Sequence, residues 1–332
     1  MTELGREELL LRICRLYYEQ NVSQDTIAEK FHLSRSYISK LLKEARDLGL
    51  VEIKVKDTLG SETEAEKAIR ERFGLKKVII VPVASKVFEK KAEVVGTTVG
   101  RYLNRILSDG DIIGVSWGLT LAACANNLIK KELKNVMITQ LKGGLPHIED
   151  VNRMNEIVRK FAEAFNASTN FLPLPLIVDN VAIKDAITQD RNIQNSMRIG
   201  LQANIVLFAV GEFNTNSSLA RSGYFTAEDV SALSARGVVG DACGRLIDIN
   251  GNIVSNEFND RTIGIQLDQL REKEYSILVA AESKSVKGVY GVLSGHYANV
   301  FIVDEFTASG ILALDKSLAQ LGTVNAGIPR ER

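Results

Sequence analysis

The chain has 332 residues, 45% hydrophobic and 25% charged, with 41 basic side chains balancing 41 acidic ones. This ordinary globular composition excludes a disordered or fibrous chain, and the length has room for two domains. Zero net charge excludes a basic coat over the whole surface, though not a single basic face. No apolar run approaches the roughly 18 residues of a membrane helix. The start, Met-Thr-Glu-Leu-Gly-Arg-Glu-Glu, lacks the basic and apolar regions of a signal peptide. Cys14, Cys124 and Cys243 show no CxxC spacing. A reducing cytoplasm is therefore expected, with no disulfide or zinc framework.

The first segment carries three helical patterns. Leu9, Ile13, Leu16 and Tyr17 recur at helical spacing, and Asn21 closes that stretch. Ser23 is placed to cap a second helix beginning at Gln24, with Asp25 in its first turn and Ile27, Ala28 and Phe31 on its apolar face. After His32-Leu33-Ser34, Ser34 is placed to cap a third helix running to about Leu48 and stopped by Gly49. Ile38, Leu41, Leu42, Ala45 and Leu48 form its core side. Its other side shows Arg35, Ser36, Tyr37, Ser39, Lys40 and Lys43, and residues 35–46 hold four basic side chains against one acid. Helix, tight turn and a hydroxyl-rich, then basic helix is the helix-turn-helix arrangement. Gln24, Ser34, Arg35, Ser36, Tyr37 and Ser39 are the candidates for base edges or phosphates, and Lys40 and Lys43 for the backbone. A solvated basic face on a small helical bundle is the plainer alternative. Residues 1–56 hold ten basic and nine acidic side chains, so one copy would bind weakly and a dimer on paired half-sites is expected.

Val51, Ile53 and Val55 alternate with charged residues as a half-buried strand does. Ser61 and Glu64 then fit a capping box opening a helix that ends at Gly74, read as a connector. The expected organisation is a DNA-binding domain over 1–57, a helical linker over 58–75 and a large domain over 76–320. In that last domain apolar strands are expected at 78–83, 111–115, 136–141, 167–172, 205–210, 276–281 and 300–303. Helices are expected at 91–107, 119–131, 151–165, 193–201 and 307–319. This alternation predicts an α/β fold, a doubly wound parallel sheet covered on both faces. Residues 237–265 break the rhythm, with a hairpin-like Asn250-Gly251 turn between 246–249 and 253–254.

In such sheets ligands sit beyond the carboxyl ends of the strands. After the second strand comes Ser116-Trp117-Gly118-Leu119-Thr120, whose small residues suit an anion at a helix N-terminus or simply a tight strand–helix turn. Lys142, beside Gly143 and Gly144 after the third strand, suits a phosphate salt bridge, nucleophilic attack on an aldehyde to form a Schiff base, or an ordinary turn. Asp241 suits sugar hydroxyls or the capping of a turn. Trp117 suits core or a ligand lid. His32, His147 and His296 lie far apart and suggest no metal.

The stretch SQDTIAEKFHLSRSYISKLLKEARDLGLVEIKV resembles the helix-turn-helix of SorC-type sugar-binding transcriptional regulators. The resemblance continues through GVSWG at 114–118, RSGYF at 221–225, VVGDACGRLID at 238–248, NDRTIGI at 259–265 and VDEFTA at 303–308. Within the family, QLKGG at 140–144 and FLPLPLIVDN at 171–180 are most similar to the deoxyribonucleoside-regulator branch. The resemblance implies an effector domain with the sugar-phosphate isomerase fold, no cofactor, and a homodimeric or homotetrameric protein that answers to a phosphorylated sugar on operator DNA. It implies an effector site near Ser116, Gly118, Thr120, Lys142, Gly143, Asp241, Lys284 and Thr307. Where members commonly carry an Ala-Gly-Gly loop and a lysine, this chain reads Ala280-Ala281-Glu282-Ser283-Lys284-Ser285, and the Glu282 charge repels phosphate. The leading expectation is a repressor of a sugar or deoxyribonucleoside catabolic operon induced by deoxyribose 5-phosphate. A regulator sensing a non-phosphorylated sugar and a sugar-phosphate isomerase or aldolase are the alternatives.

Overall fold

The computed structural model describes residues 3–51, 62–145, 148–320 and 322, in two units that divide between residues 61 and 62. The first unit is helical. Helix α1 (Glu3–Cys14) runs into one π-helical turn, Arg15–Glu19, and is followed by α2 (Gln24–Phe31) and α3 (Arg35–Asp47). Both expected caps form: Ser23 Oγ accepts from the Thr26 amide at 3.1 Å and Ser34 Oγ from the Tyr37 amide at 3.2 Å. Leu10, Ile13, Ile27, Ala28, Ile38, Leu41, Leu42 and Ala45 close one core. Each large aliphatic buried there contributes roughly 1.5–3 kcal/mol. Leu48, expected in that core, is 62% exposed, because the helix has ended at Asp47 and Gly49 turns away at φ +71°. The expected strand at 51–55 lies almost wholly outside the described residues.

The second unit opens with α4 (Glu64–Phe73). Its capping box is Thr63 with Glu66 rather than Ser61 with Glu64: Thr63 Oγ1 accepts from the Glu66 amide while the Glu66 carboxylate accepts from the Thr63 amide. The other Glu66 oxygen accepts from the Ile80 amide at 2.9 Å, and Ile69 and Phe73 are buried against the sheet. The helix assigned to a connector is thus part of the domain, tied to its first strand.

The elements that follow are β1 (Lys77–Val81), α5 (Phe88–Ile106), β2 (Ile112–Val115), α6 (Leu119–Asn126), β3 (Met137–Gln140), α7 (Ile148–Phe165), β4 (Ser168–Asn170), α8 (Val181–Thr188), α9 (Arg191–Gln202) and β5 (Ile205–Phe208). Then come β6 (Val210–Gly211), α10 (Ala227–Ala235), β7 (Gly240–Ala242), β8 (Arg245–Ile247), α11 (Asn256–Arg261), α12 (Leu267–Arg271), β9 (Tyr275–Ala280), α13 (Val286–Ser294), β10 (Val300–Asp304) and α14 (Glu305–Gln320). Seven strands form one parallel sheet in the order β1-β10-β9-β5-β2-β3-β4. All seven strands expected from the sequence are in it.

Their apolar residues divide by parity. Ile79, Ile113, Ile138, Ile205, Leu207, Ile277 and Ile302 face the core under α5, α6 and α7. Val78, Val206, Phe208, Leu278, Phe301 and Val303 face the core under α4, α13 and α14. A strand buried on both faces has no position for a polar residue, hence the continuous apolar runs. Chain order steps from β2 through β3 to β4 in one direction and from β5 through β9 to β10 in the other. The reversal opens a crevice between the carboxyl ends of β2 and β5.

Two expected elements change on closer view. Helix α6 stops at Asn126 rather than near 131, where the Asn127 side chain turns back to the Ala123 carbonyl. Lys131 instead donates to the Asn104 and Leu107 carbonyls at the end of α5. The Asn250-Gly251 turn forms, but its second arm shrinks to one bridge, Ile247 to Ile253, because Ser255 caps α11 at once. Strand β8 pairs instead with β7 in an antiparallel β6-β7-β8 sheet.

Helices α5 and α6 meet backbone to backbone through Gly96 and Gly100, where a Cβ would lie 2.7 Å from the Ala123 carbonyl oxygen and 2.3 Å from that of Asn127. Gly100→Ala should therefore destabilise the protein by about 1–3 kcal/mol through overpacking. A thermal-unfolding midpoint equal to that of the parent chain would show that the two helices separate freely.

Candidate functional site

The crevice is built from segments that leave neighbouring strands. After β2, the Ser116 amide donates to the Leu207 carbonyl of β5 at 2.9 Å, and Ser116 is buried at 2% exposure. Gly118, at φ +145°, starts α6 with no side chain closing over the first amides of that helix. Unsatisfied amides at a helix start suit an anionic group. Thr120 follows, half-buried, in the first turn.

After β3 comes Lys142, 4% exposed. Its Nζ lies 3.9 Å from the centroid of the Trp117 ring, and Trp117 Nε1 donates to the Gly143 carbonyl at 3.0 Å. Among the described residues, Lys142 Nζ has neither a hydrogen-bond nor an ion-pair partner. The backbone on either side is locked by close approach. Lys142 forms an antiparallel bridge with Gly264, and a Cβ on Gly264 would sit 2.8 Å from Lys142 Cα. A Cβ on Gly143 would sit 2.4 Å from the Pro175 carbonyl oxygen.

From the small sheet come Asp241 and Cys243. Asp241, 7% exposed, accepts from the Gly244 amide at 3.2 Å. Cys243 is fully buried at φ +52°, and burial pushes its thiol up to about 11. Lys142, Asp241 and Arg245 act on that thiol as charges, and Ser116 reaches it by a hydrogen bond. Ser116 and Lys142, expected after two strands, and Asp241, expected after the Gly237–Gly240 stretch, all neighbour Cys243.

The remaining expected residues stand apart or are already engaged. Thr307 is fully buried, and its hydroxyl and amide both donate to the Asp304 carboxylate. Lys284 is exposed in a 3-10 turn, Ser283–Ser285. The buried cation beside Asp304 is Lys91, whose Nζ lies 3.4 Å from Asp304 Oδ2 and 3.3 Å from Ser283 Oγ. Sequence reasoning passed over Lys91, although its signal was present: it holds a core-facing position in line with Val95 and Val99 on α5. It also passed over Arg245, which is wholly buried and donates to the carbonyls of Ile265, Gly264 and Asn259 and to the Asn259 side chain. Arg245 therefore fixes the segment that abuts Lys142. Glu282 is half-buried, and burial raises its carboxyl pKa, helped by the nearby Glu212 and opposed by Lys284 and Lys91.

In the first unit, His32 takes the left-handed conformation at φ +54° and turns the chain from α2 into α3. Ser34, Arg35, Ser36, Tyr37, Ser39, Lys40 and Lys43 are all exposed, and Gln24 is half-buried. Arg35 Nε lies 3.5 Å from Asp25 Oδ1 in an open ion pair, which holds weakly in water. Tyr37 lies beside Arg6, which forks onto Glu44 with two bonds of 2.8 Å. The basic row of Arg35, Lys40 and Lys43 remains open.

Residues 57–313 match the family described as "Putative sugar-binding domain". The chain is 39% identical over 307 residues to the deoxyribonucleoside regulator of Bacillus subtilis, covering 92% of this chain and 98% of that one. It is 28% identical over 306 residues to the sorbitol operon regulator of Klebsiella pneumoniae, covering 92% and 97%. The crystal structure of the full-length Klebsiella pneumoniae regulator superimposes with a TM-score of 0.74 at 28% identity over 92% of this chain and 98% of that one. The chain belongs to the SorC-type family of sugar-binding transcriptional regulators, and it is a regulator rather than an enzyme.

Two measurements check these placements. On DNA that the protein recognises, Lys40→Ala should weaken affinity about equally across sequences and lower the salt-dependence slope by about 1; an unchanged slope removes Lys40 from the phosphate contacts. At pH 8, Cys243 should resist alkylation in the native protein and react once it is unfolded, because its thiolate is scarce and enclosed. Rapid native labelling of Cys243 would contradict its burial.

Proposed function

We propose that this chain represses a deoxyribonucleoside or related sugar catabolic operon from the cytoplasm, as a homodimer or homotetramer on paired operator half-sites, and leaves DNA when a phosphorylated sugar enters the crevice. The observation that carries the reading is Lys142: a buried amine at the crevice, partnered among the described residues only by an aromatic face. Deoxyribose 5-phosphate is the preferred effector. Its open-chain form presents an aldehyde, and the 39% identity to a deoxyribonucleoside regulator supports that choice.

The chemistry balances without a redox partner. The Lys142 ammonium gives one proton to water, its nitrogen adds to the aldehyde carbon, the carbonyl electron pair moves to oxygen, and transfer of a second proton from nitrogen to that oxygen leaves a carbinolamine. Loss of one water leaves an imine. Asp241 accepts from sugar hydroxyls, and the first amides of α6, after Gly118, take an anionic oxygen. Ser116, Gly143 and Thr120 line the approach, while Arg35, Ser36, Ser39, Lys40 and Lys43 meet DNA.

A second reading, a regulator of a non-phosphorylated sugar, draws on Glu282. Its carboxyl stands where the family resemblance would place a glycine, and an anion beside it is disfavoured by charge.

The test is fluorescence anisotropy on DNA upstream of the chain's own operon. Saturating deoxyribose 5-phosphate should loosen the parent protein at least tenfold, a coupling of about 1.4 kcal/mol. Lys142→Ala should bind the same DNA and lose that response. Release by deoxyribose but not by its 5-phosphate would favour the second reading, and an unimpaired response of Lys142→Ala would end the imine.

A further inference from the structure

The lysine at the crevice depends on a single neighbour. Among the described residues Lys142 has no carboxylate within ion-pair distance, and its ammonium rests on the Trp117 indole, 3.9 Å from the ring centroid. A buried cation is costly unless something attracts it, and the negative face of an indole does so. The same ring is anchored at its edge, because Trp117 Nε1 donates to the carbonyl of Gly143, the residue after Lys142, at 3.0 Å. The indole thus grips both ends of one short unit, the side-chain amine through its face and the following peptide through its N–H.

We propose that Trp117 is the positioning residue of Lys142: it holds the amine over the crevice in the effector-free protein and gives it up when an effector carbonyl arrives. The inference rests on the reading of Lys142 as the effector's partner and adds the residue that places it. It also decides between the two roles the sequence left open for Trp117. The ring packs partly into the core under α5, α6 and α7 and partly into the cluster that includes Phe213, Phe225 and Phe258. Held on both sides, the indole is a fixed platform rather than a mobile lid.

Trp117 is the sole tryptophan of the chain, so tryptophan emission comes from this ring alone. The experiment uses the full chain in two arms. Without ligand, Lys142→Met should change the Trp117 emission relative to the parent protein; superimposable spectra overturn the stack. With saturating deoxyribose 5-phosphate and cyanoborohydride, the imine is reduced to a stable amine and the adduct is counted by mass. Trp117→Phe, which keeps an aromatic face, should trap within about threefold of the parent rate, while Trp117→Leu should fall roughly tenfold or more, as expected when a reacting group loses its orientation. Thermal midpoints of both variants identify any loss due to unfolding, in which case the ligand-free spectra decide. Parent-like trapping by Trp117→Leu overturns the proposal. A parent protein that traps no adduct overturns the imine reading instead, and the spectra of the ligand-free pair then judge the stack by themselves.

Discussion

A parallel sheet buried on both faces places every strand's carboxyl end along one edge, because each crossover helix must return the chain to the opposite edge before the next strand begins. In this protein the order reverses between β2 and β5; β2 leads into α6 while β5 leads into the small antiparallel sheet, and a crevice is expected where the two paths diverge. Ser116 and Lys142 follow β2 and β3 of that sheet, while Asp241 comes from within β7 of the small antiparallel sheet. The glycines of α5 matter for the same reason: they let α6 lie close, which fixes the helix whose first turn borders the crevice.

Of the four buried cations among the described residues, Lys91, Arg245 and Lys142 meet the cost of desolvation in three different ways, and the fourth, Lys273, donates to the Leu201 carbonyl. Lys91 has a carboxylate, Asp304, and a hydroxyl on Ser283. Arg245 has no carboxylate within hydrogen-bond reach but uses its fork on three carbonyls and an amide side chain; even so, desolvation lowers its pKa to about 10. Among the described residues Lys142 meets only an indole face. The first two are satisfied by the fold, and removing either would leave partners unmet. On the reading proposed above, the third keeps its donors for the effector.

The sheet was legible because strands buried on both sides are largely apolar; edge strand β4, Ser168–Asn170, is the polar exception. Boundaries were less legible, since they are set by individual side chains. Asn127 folding back on Ala123 ends α6 five residues early, and Glu66, shared between Thr63 and Ile80, moves a capping box by two positions. In the crevice, residues that directly follow strands could be read from their place in the pattern. Thr307 could not, because its hydroxyl is taken by Asp304. Lys91 was hidden for the converse reason: its partner lies 213 positions away, and spacing says nothing about contacts at that range.

A regulator needs an effector to change an equilibrium, and an effector can do so only to the extent that it interacts differently with two states. A pocket of hydroxyl acceptors alone would bind the sugar without such a difference. On the reading proposed above, the Lys142 amine offers one, since it leaves the Trp117 ring to bond an effector carbonyl. Moving it exchanges a contact of the resting protein for one with the ligand. Because Trp117 borders both the sheet core and the cluster around Phe225, the change is registered where two packed regions meet, and packed regions respond by discrete rearrangement rather than gradual deformation.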